Sequence, residues 1–82
     1  MRTVRYLRDA QAALRRHSNV ANRLRKAITE YAADPAAHAN NVAHLVGSAA
    51  KRLRVGDYRI IFEDTEAEVV VTRIAPRGSA YD

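Results

Sequence analysis

The chain predicts an α+β domain in which an antiparallel sheet packs against an N-terminal helical hairpin, in the order β-α-α-β-β-β. Three observations carry this expectation. Apolar residues recur at helical spacing through the first half, two runs alternate in polarity around Gly56-Asp57, and a β-prone run from Val69 to Ile74 follows an acidic turn. Strands gathered behind a helical pair bury their apolar face when the helices lie on one side of the sheet. Eighty-two residues make a single domain, 1–82, with a small core.

Arg2 to Tyr6 alternates briefly, with Val4 and Tyr6 on one face, and reads as a first strand. Leu7, Ala10 and Leu14 then follow helical spacing, with Arg8, Arg15 and Arg16 turned away. This helix is expected to stop near His17, with Ser18 or Asn19 supplying the N-cap oxygen of the next. Val20, Leu24, Ala27, Ile28 and Tyr31 mark one face of that second helix. Asp34-Pro35 ends it, because proline disfavours the helical conformation in the residue before it. Ala36 to Asn41 is a connection of small and polar residues, and Val42 to Val46 can begin the sheet before Gly47-Ser48. Glu63 to Glu68 reads as a solvated acidic turn, and the last strand follows it.

The stretch from Lys51 to Phe62 is the most informative. A glycine-led two-residue loop between alternating runs signals a hairpin. That register sets Val55 opposite Tyr58, Arg54 opposite Arg59 and Leu53 opposite Ile60. Leu53, Val55, Tyr58, Ile60 and Phe62 then share one face, and Arg52, Arg54 and Arg59 the other. Like charges opposed across a ladder repel. Two readings stay open: the arginines await a polyanion, or they splay into water as a solvated basic face.

The net charge of +5 favours polyanionic partners: nucleic acid, a ribosome or an acidic protein. Residues 1–50 carry eight basic and three acidic side chains, whereas residues 51–82 carry six of each, so the first half supplies the net field. Without cysteine there is no disulfide framework, thiolate metal site or cysteine nucleophile. No apolar run reaches membrane-spanning length and the N-terminus lacks a signal-peptide core, so a cytoplasmic protein with no membrane partner is expected. His17, His38 and His44 match no zinc spacing, and no metal or cofactor is expected. Tyr58 is expected to pack in the core. Arg77 and Tyr81 extend the arginine set if the tail folds beside it, Tyr81 alternatively capping the core.

With these residues in view, the chain resembles the RelE/ParE superfamily of bacterial type II toxins over nearly all its length. The similarity includes the strand followed by two helices, the Asp34-Pro35 stop, and Leu45-Val46-Gly47, like the family's "LxG". Most specific is Leu53-Arg54-Val55-Gly56-Asp57-Tyr58-Arg59-Ile60-Ile61-Phe62, which is similar to "LRVGDYRVIY". The tail Arg77-Gly78-Ser79-Ala80-Tyr81 looks like the closing "RxxxY". The resemblance implies a RelE-like fold, a cognate antitoxin, and ribosome-dependent cleavage of mRNA as an endoribonuclease (mRNA interferase) that inhibits translation. In that reaction the ribose 2′-OH attacks the adjacent phosphate.

Carried over by position, Arg59, Arg77, Tyr81 and Arg54 are the implied catalytic residues, with Arg59 on the phosphate and Tyr81 orienting or stacking on the mRNA. Lys51, Arg52, Arg23, Arg25 and Lys26 are the implied RNA contacts, those of the helices directed at ribosomal RNA phosphates. The chain departs from the pattern in two places. A lysine pair of some members falls here on Ala50 and Arg52, and a histidine before the tail arginine falls on Pro76. With no general base at these positions, either catalysis rests on electrostatics and positioning, with Lys51 or Tyr81 assisting, or activity is weak or absent. The same superfamily includes ParE-like DNA gyrase inhibitors without nuclease activity, and an inactive homologue that only binds an antitoxin is the third reading.

Overall fold

The computed structural model describes residues 2–76, so the implied tail residues Arg77 and Tyr81 lie outside the described residues. The order is β1 (Thr3–Tyr6), α1 (Arg8–Arg16), α2 (Ser18–Ala33), a 3₁₀ helix (Pro35–Asn41), β2 (Val42–His44), β3 (Lys51–Val55), β4 (Tyr58–Asp64) and β5 (Glu68–Pro76). These five strands form one sheet in the order β1-β5-β4-β3-β2.

The sheet is mixed rather than wholly antiparallel. Strands β2 to β5 form an antiparallel meander, but β1 pairs in parallel with β5, from Thr3 opposite Glu68 to Tyr6 opposite Val71. Hydrophobic alternation explains the register: Val4 and Tyr6 meet Val69 and Val71, the latter two fully buried on the helix side. Leu7 precedes α1 instead of joining its apolar face. Its N–H donates to the Val71 carbonyl at 2.9 Å, prolonging the strand pairing.

Neither helix receives a side-chain N-cap, and Ser18 is the first residue of α2 rather than its cap. The turn between the helices is a single residue. His17 donates its N–H to Ala13 at the end of α1 while its carbonyl accepts from Val20 in α2, leaving no separate position for a capping serine. Helix α2 ends at Ala33, and Pro35 opens the 3₁₀ helix, where its missing N–H costs no intrahelical bond.

The helices lie on one face of the sheet. Ala10, Ala13, Leu14, Leu24, Ile28 and Tyr31 pack with Leu53, Ile60, Phe62, Val69, Val71 and Ile74 into one core. Phe62 is its largest fully buried side chain, with the Tyr31 ring 4.8 Å away in a tilted arrangement. No helix among the described residues is long and apolar enough to cross a membrane.

Candidate functional site

The hairpin has the register its alternation dictates: Val55 opposite Tyr58, Arg54 opposite Arg59, Leu53 opposite Ile60. Gly56 takes φ +57° and no non-glycine residue among those described has positive φ, so only the first loop position is left-handed, as in a type II′ turn. Arg52, Arg54 and Arg59 therefore stand together on the face opposite the helices. Arg52 and Arg59 are half-buried and Arg54 is exposed.

A fourth arginine joins them. Simple alternation from Val69 and Val71 would send Arg73 to the core side. Instead, Phe62 pairs with Val71 and Ile61 with Arg73, which leaves Thr72 as an extra residue in β5. The Thr72 hydroxyl donates to the Ile61 carbonyl at 3.2 Å across this bulge. Past it the faces exchange, Ile74 enters the core and Arg73 turns to the arginine face. Ile61 and Ala75 share that face and are buried, at 6% and 5% exposure, so the four arginine positions flank an apolar floor. A poorly solvated floor strengthens attraction for an incoming anion.

At one end of this face, Asn40 and Asn41 from the 3₁₀ helix, Val42 and Ala43 from β2, and Arg52 and Arg54 line a cleft of about 140 Å³. At the β5 edge beyond β1, Arg73 and Ile74 meet Asp9, Ala12 and Arg16 of α1 around a second cleft of about 210 Å³. No group of three or more potential metal ligands occurs among the described residues.

The other implied RNA contacts do not join the arginine face. Lys51 points to the helix side, where its Nζ lies 3.1 Å from Asp64 Oδ1, and the Tyr31 hydroxyl donates to Asp64 Oδ2 at 2.6 Å. Asp64 is thus no part of a solvated turn, since its side chain is only 8% exposed. Burial works against ionising this carboxyl, but the hydrogen bonds from Tyr31 and Lys51, with the charges of Lys51 and Arg2, outweigh it and hold the carboxyl below its ordinary value. Burial, reinforced by the bond and charge of Asp64, pushes the Tyr31 phenol up to about 12.

Arg23, Arg25 and Lys26 belong to α2, on the far side of the sheet. The Arg23 guanidinium lies directly against the α-carbon of Gly56, and the Arg25 guanidinium stacks over the Tyr6 ring at 5.2 Å. Burial raises the Tyr6 phenol, against the opposing effect of Arg25. Tyr58 packs against the core as expected, and its hydroxyl shares a 3.1 Å hydrogen bond with His17 Nδ1, the two rings meeting edge to face at 5.1 Å. His38 falls in the 3₁₀ helix and His44 ends β2, exposed.

Residues 4–81 match the family described as the ParE toxin of the type II toxin-antitoxin system parDE. Among solved structures, the chain is similar to the RelB-RelE antitoxin-toxin complex from Methanococcus jannaschii, with TM-score 0.71, 22% identity and 95% of each chain covered. It is also similar to the toxin-antitoxin complex RelBE2 from Mycobacterium tuberculosis, with TM-score 0.63 and 25% identity over 93% of this chain and 98% of that one. No curated protein matches in sequence.

Proposed function

Because the chain belongs to the ParE toxin family of type II toxin-antitoxin systems, in the RelE/ParE superfamily, we propose that it acts as a ribosome-dependent mRNA endoribonuclease. A cognate antitoxin is its resting partner, in keeping with the two toxin-antitoxin complexes whose fold it shares. The observation that carries the nuclease reading is the convergence of Arg52, Arg54, Arg59 and Arg73 on one sheet face with an apolar floor. Several forked guanidinium groups brought to one face suit the oxygens of a phosphoryl group, which a protein that only binds a partner does not require.

The reaction fits what arginines do. The ribose 2′-hydroxyl gives up its proton to water as its oxygen bonds to the adjacent phosphorus, the bond from phosphorus to the 5′-oxygen breaks, and the leaving oxygen takes a proton from water. The products are a 2′,3′-cyclic phosphate and a 5′-OH. Negative charge on the phosphoryl oxygens rises toward the pentavalent state, where forked guanidinium groups bind it best. Arginine remains charged at neutral pH and cannot be the base. Catalysis therefore draws on this charge stabilisation and on alignment of the mRNA by the ribosome. Arg59 and Arg54 act on the phosphate, with Arg77 and Tyr81 as further catalytic groups. Arg52 holds the RNA backbone, and Lys51, Arg23, Arg25 and Lys26 contribute to the positive field toward ribosomal RNA.

A gyrase inhibitor is the second reading, favoured by the ParE description of the matching family. Purified protein is added to translating ribosomes on a defined mRNA, and in parallel to gyrase with relaxed plasmid. The nuclease reading expects new mRNA ends bearing 2′,3′-cyclic phosphate and unaffected supercoiling. Intact mRNA together with gyrase trapped on cleaved DNA would establish the second reading instead.

A further inference from the structure

Resting on the nuclease reading, we propose that the cleft between the 3₁₀ helix and β3 is a base-reading subsite. In it the side-chain amides of Asn40 and Asn41 select an adenine in the nucleotide neighbouring the scissile phosphate. Its residues divide into two kinds. Arg52 and Arg54 are shared with the arginine face, so a backbone held there continues into the cleft. Asn40 and Asn41, both exposed, are uncharged and carry a donor and an acceptor side by side.

Arginines on phosphate carry no sequence information, whereas an amide aimed at a base edge does. Adenine presents an amino donor beside a ring acceptor, the pattern that asparagine pairs with in a bidentate fashion. Single-stranded RNA is read in this way, through unstacked base edges and stacking on guanidinium planes. The cleft, at about 140 Å³, is well below the roughly 300–1,000 Å³ of sites for drug-sized ligands and suits one ring rather than a whole nucleotide.

Position in the sheet gives the spacing. Ala43 pairs with Arg52, and Arg54 pairs with Arg59, so β2 and β4 flank β3. They stand two strand spacings apart, roughly 10 Å. A phosphate on Arg59 therefore leaves the next base within reach of the cleft. Asn41 adjoins β2, whose pairing with β3 fixes it relative to the arginines.

The test is the sequence profile of cleavage on translating ribosomes, using an mRNA library randomised around the cut site. Wild-type protein is compared with the Asn40→Ala/Asn41→Ala double variant and with Asn40→Gln/Asn41→Gln, each first shown to bind the antitoxin. The expected wild-type profile favours adenine by roughly tenfold at one position next to the cut. The alanine variant loses that preference while other positions in its profile keep theirs, and the glutamine variant retains part of it. A wild-type profile without adenine preference, or an alanine profile identical to wild type at whatever rate the variant cuts, would overturn the subsite while leaving the nuclease reading standing. Absence of cleavage by wild-type protein would remove both.

Discussion

Arg54 and Arg59 face each other across a ladder pair, where like charges repel. Replacing exposed Arg54 with threonine should raise stability by about 0.2–1 kcal/mol in urea titrations at low salt. The same variant should cut mRNA more slowly. A less stable Arg54→Thr protein would mean that the arginines support the sheet rather than burden it. On the helix side, Asp64 has the opposite character. Its carboxyl is held below the ordinary value in the folded chain, so its contribution to stability is present above the unfolded value and is lost as pH falls through the folded one. Asp64→Asn should therefore flatten the acid limb of the stability curve below about pH 4. Tyr31, raised to about 12, contributes stability that is complete below its unfolded value near 10 and is lost as pH climbs toward 12. Tyr31→Phe should remove that alkaline loss and cost about 1–2 kcal/mol at neutral pH, because Asp64 gives up a hydrogen bond. Both limbs can be read by denaturant titration across pH. The sequence places Glu63 to Glu68 in a turn, and from composition alone Asp64 is one carboxylate among several. Its burial depends on Tyr31, 33 positions earlier, a relation that no local pattern carries.

Gly56 and Gly47 are glycine for the same backbone reason, with different surroundings. Both have positive φ, at +57° and +74°, but a side chain at Gly47 would meet nothing, whereas one at Gly56 would strike the Arg23 guanidinium. Gly47→Ala should cost about 1–2 kcal/mol for the left-handed backbone alone. Gly56→Ala should cost about the same, because the atoms its side chain meets are the free end of the exposed Arg23, which can swing aside, and a double-mutant cycle with Arg23→Ala should show little coupling. A much larger cost at Gly56, recovered by Arg23→Ala, would mean that the Arg23 side chain is held in place. Among the elements, the β3–β4 hairpin is fully legible in the chain, since Arg52-Leu53-Arg54-Val55 and Tyr58-Arg59-Ile60 alternate around a two-residue loop and leave one register. The place of Arg73 is not legible. The bulge at Thr72 reverses the alternation of β5, and a bulge leaves no mark in a run as uniform as Val69-Val70-Val71. The parallel pairing of β1 is also hidden, because Thr3 to Tyr6 can alternate against any apolar edge and only the finished meander offers β5. The short turn at His17 displaces the expected cap on Ser18 for a similar reason: tertiary packing sets the bend.

Positive charge is spread over the molecule in two layers. Arg52, Arg54, Arg59 and Arg73 form one on the sheet, and Arg23, Arg25 and Lys26 of α2 contribute to the other, behind the core. Association with RNA should weaken steeply with salt, and Arg52→Gln/Arg54→Gln should reduce the slope of log K against log salt by about 0.7 for each phosphate that is no longer neutralised. An unchanged slope in binding titrations would place the RNA on the α2 side instead. Whether the sheet face performs the chemistry is decided by primer extension on mRNA in translating ribosomes with wild-type and Arg59→Ala proteins, each shown to bind the antitoxin. New ends are expected at ribosome-bound codons for wild type, none on naked mRNA, and none with Arg59→Ala. Undiminished cleavage by a folded, antitoxin-binding Arg59→Ala protein would contradict a catalytic role for this face.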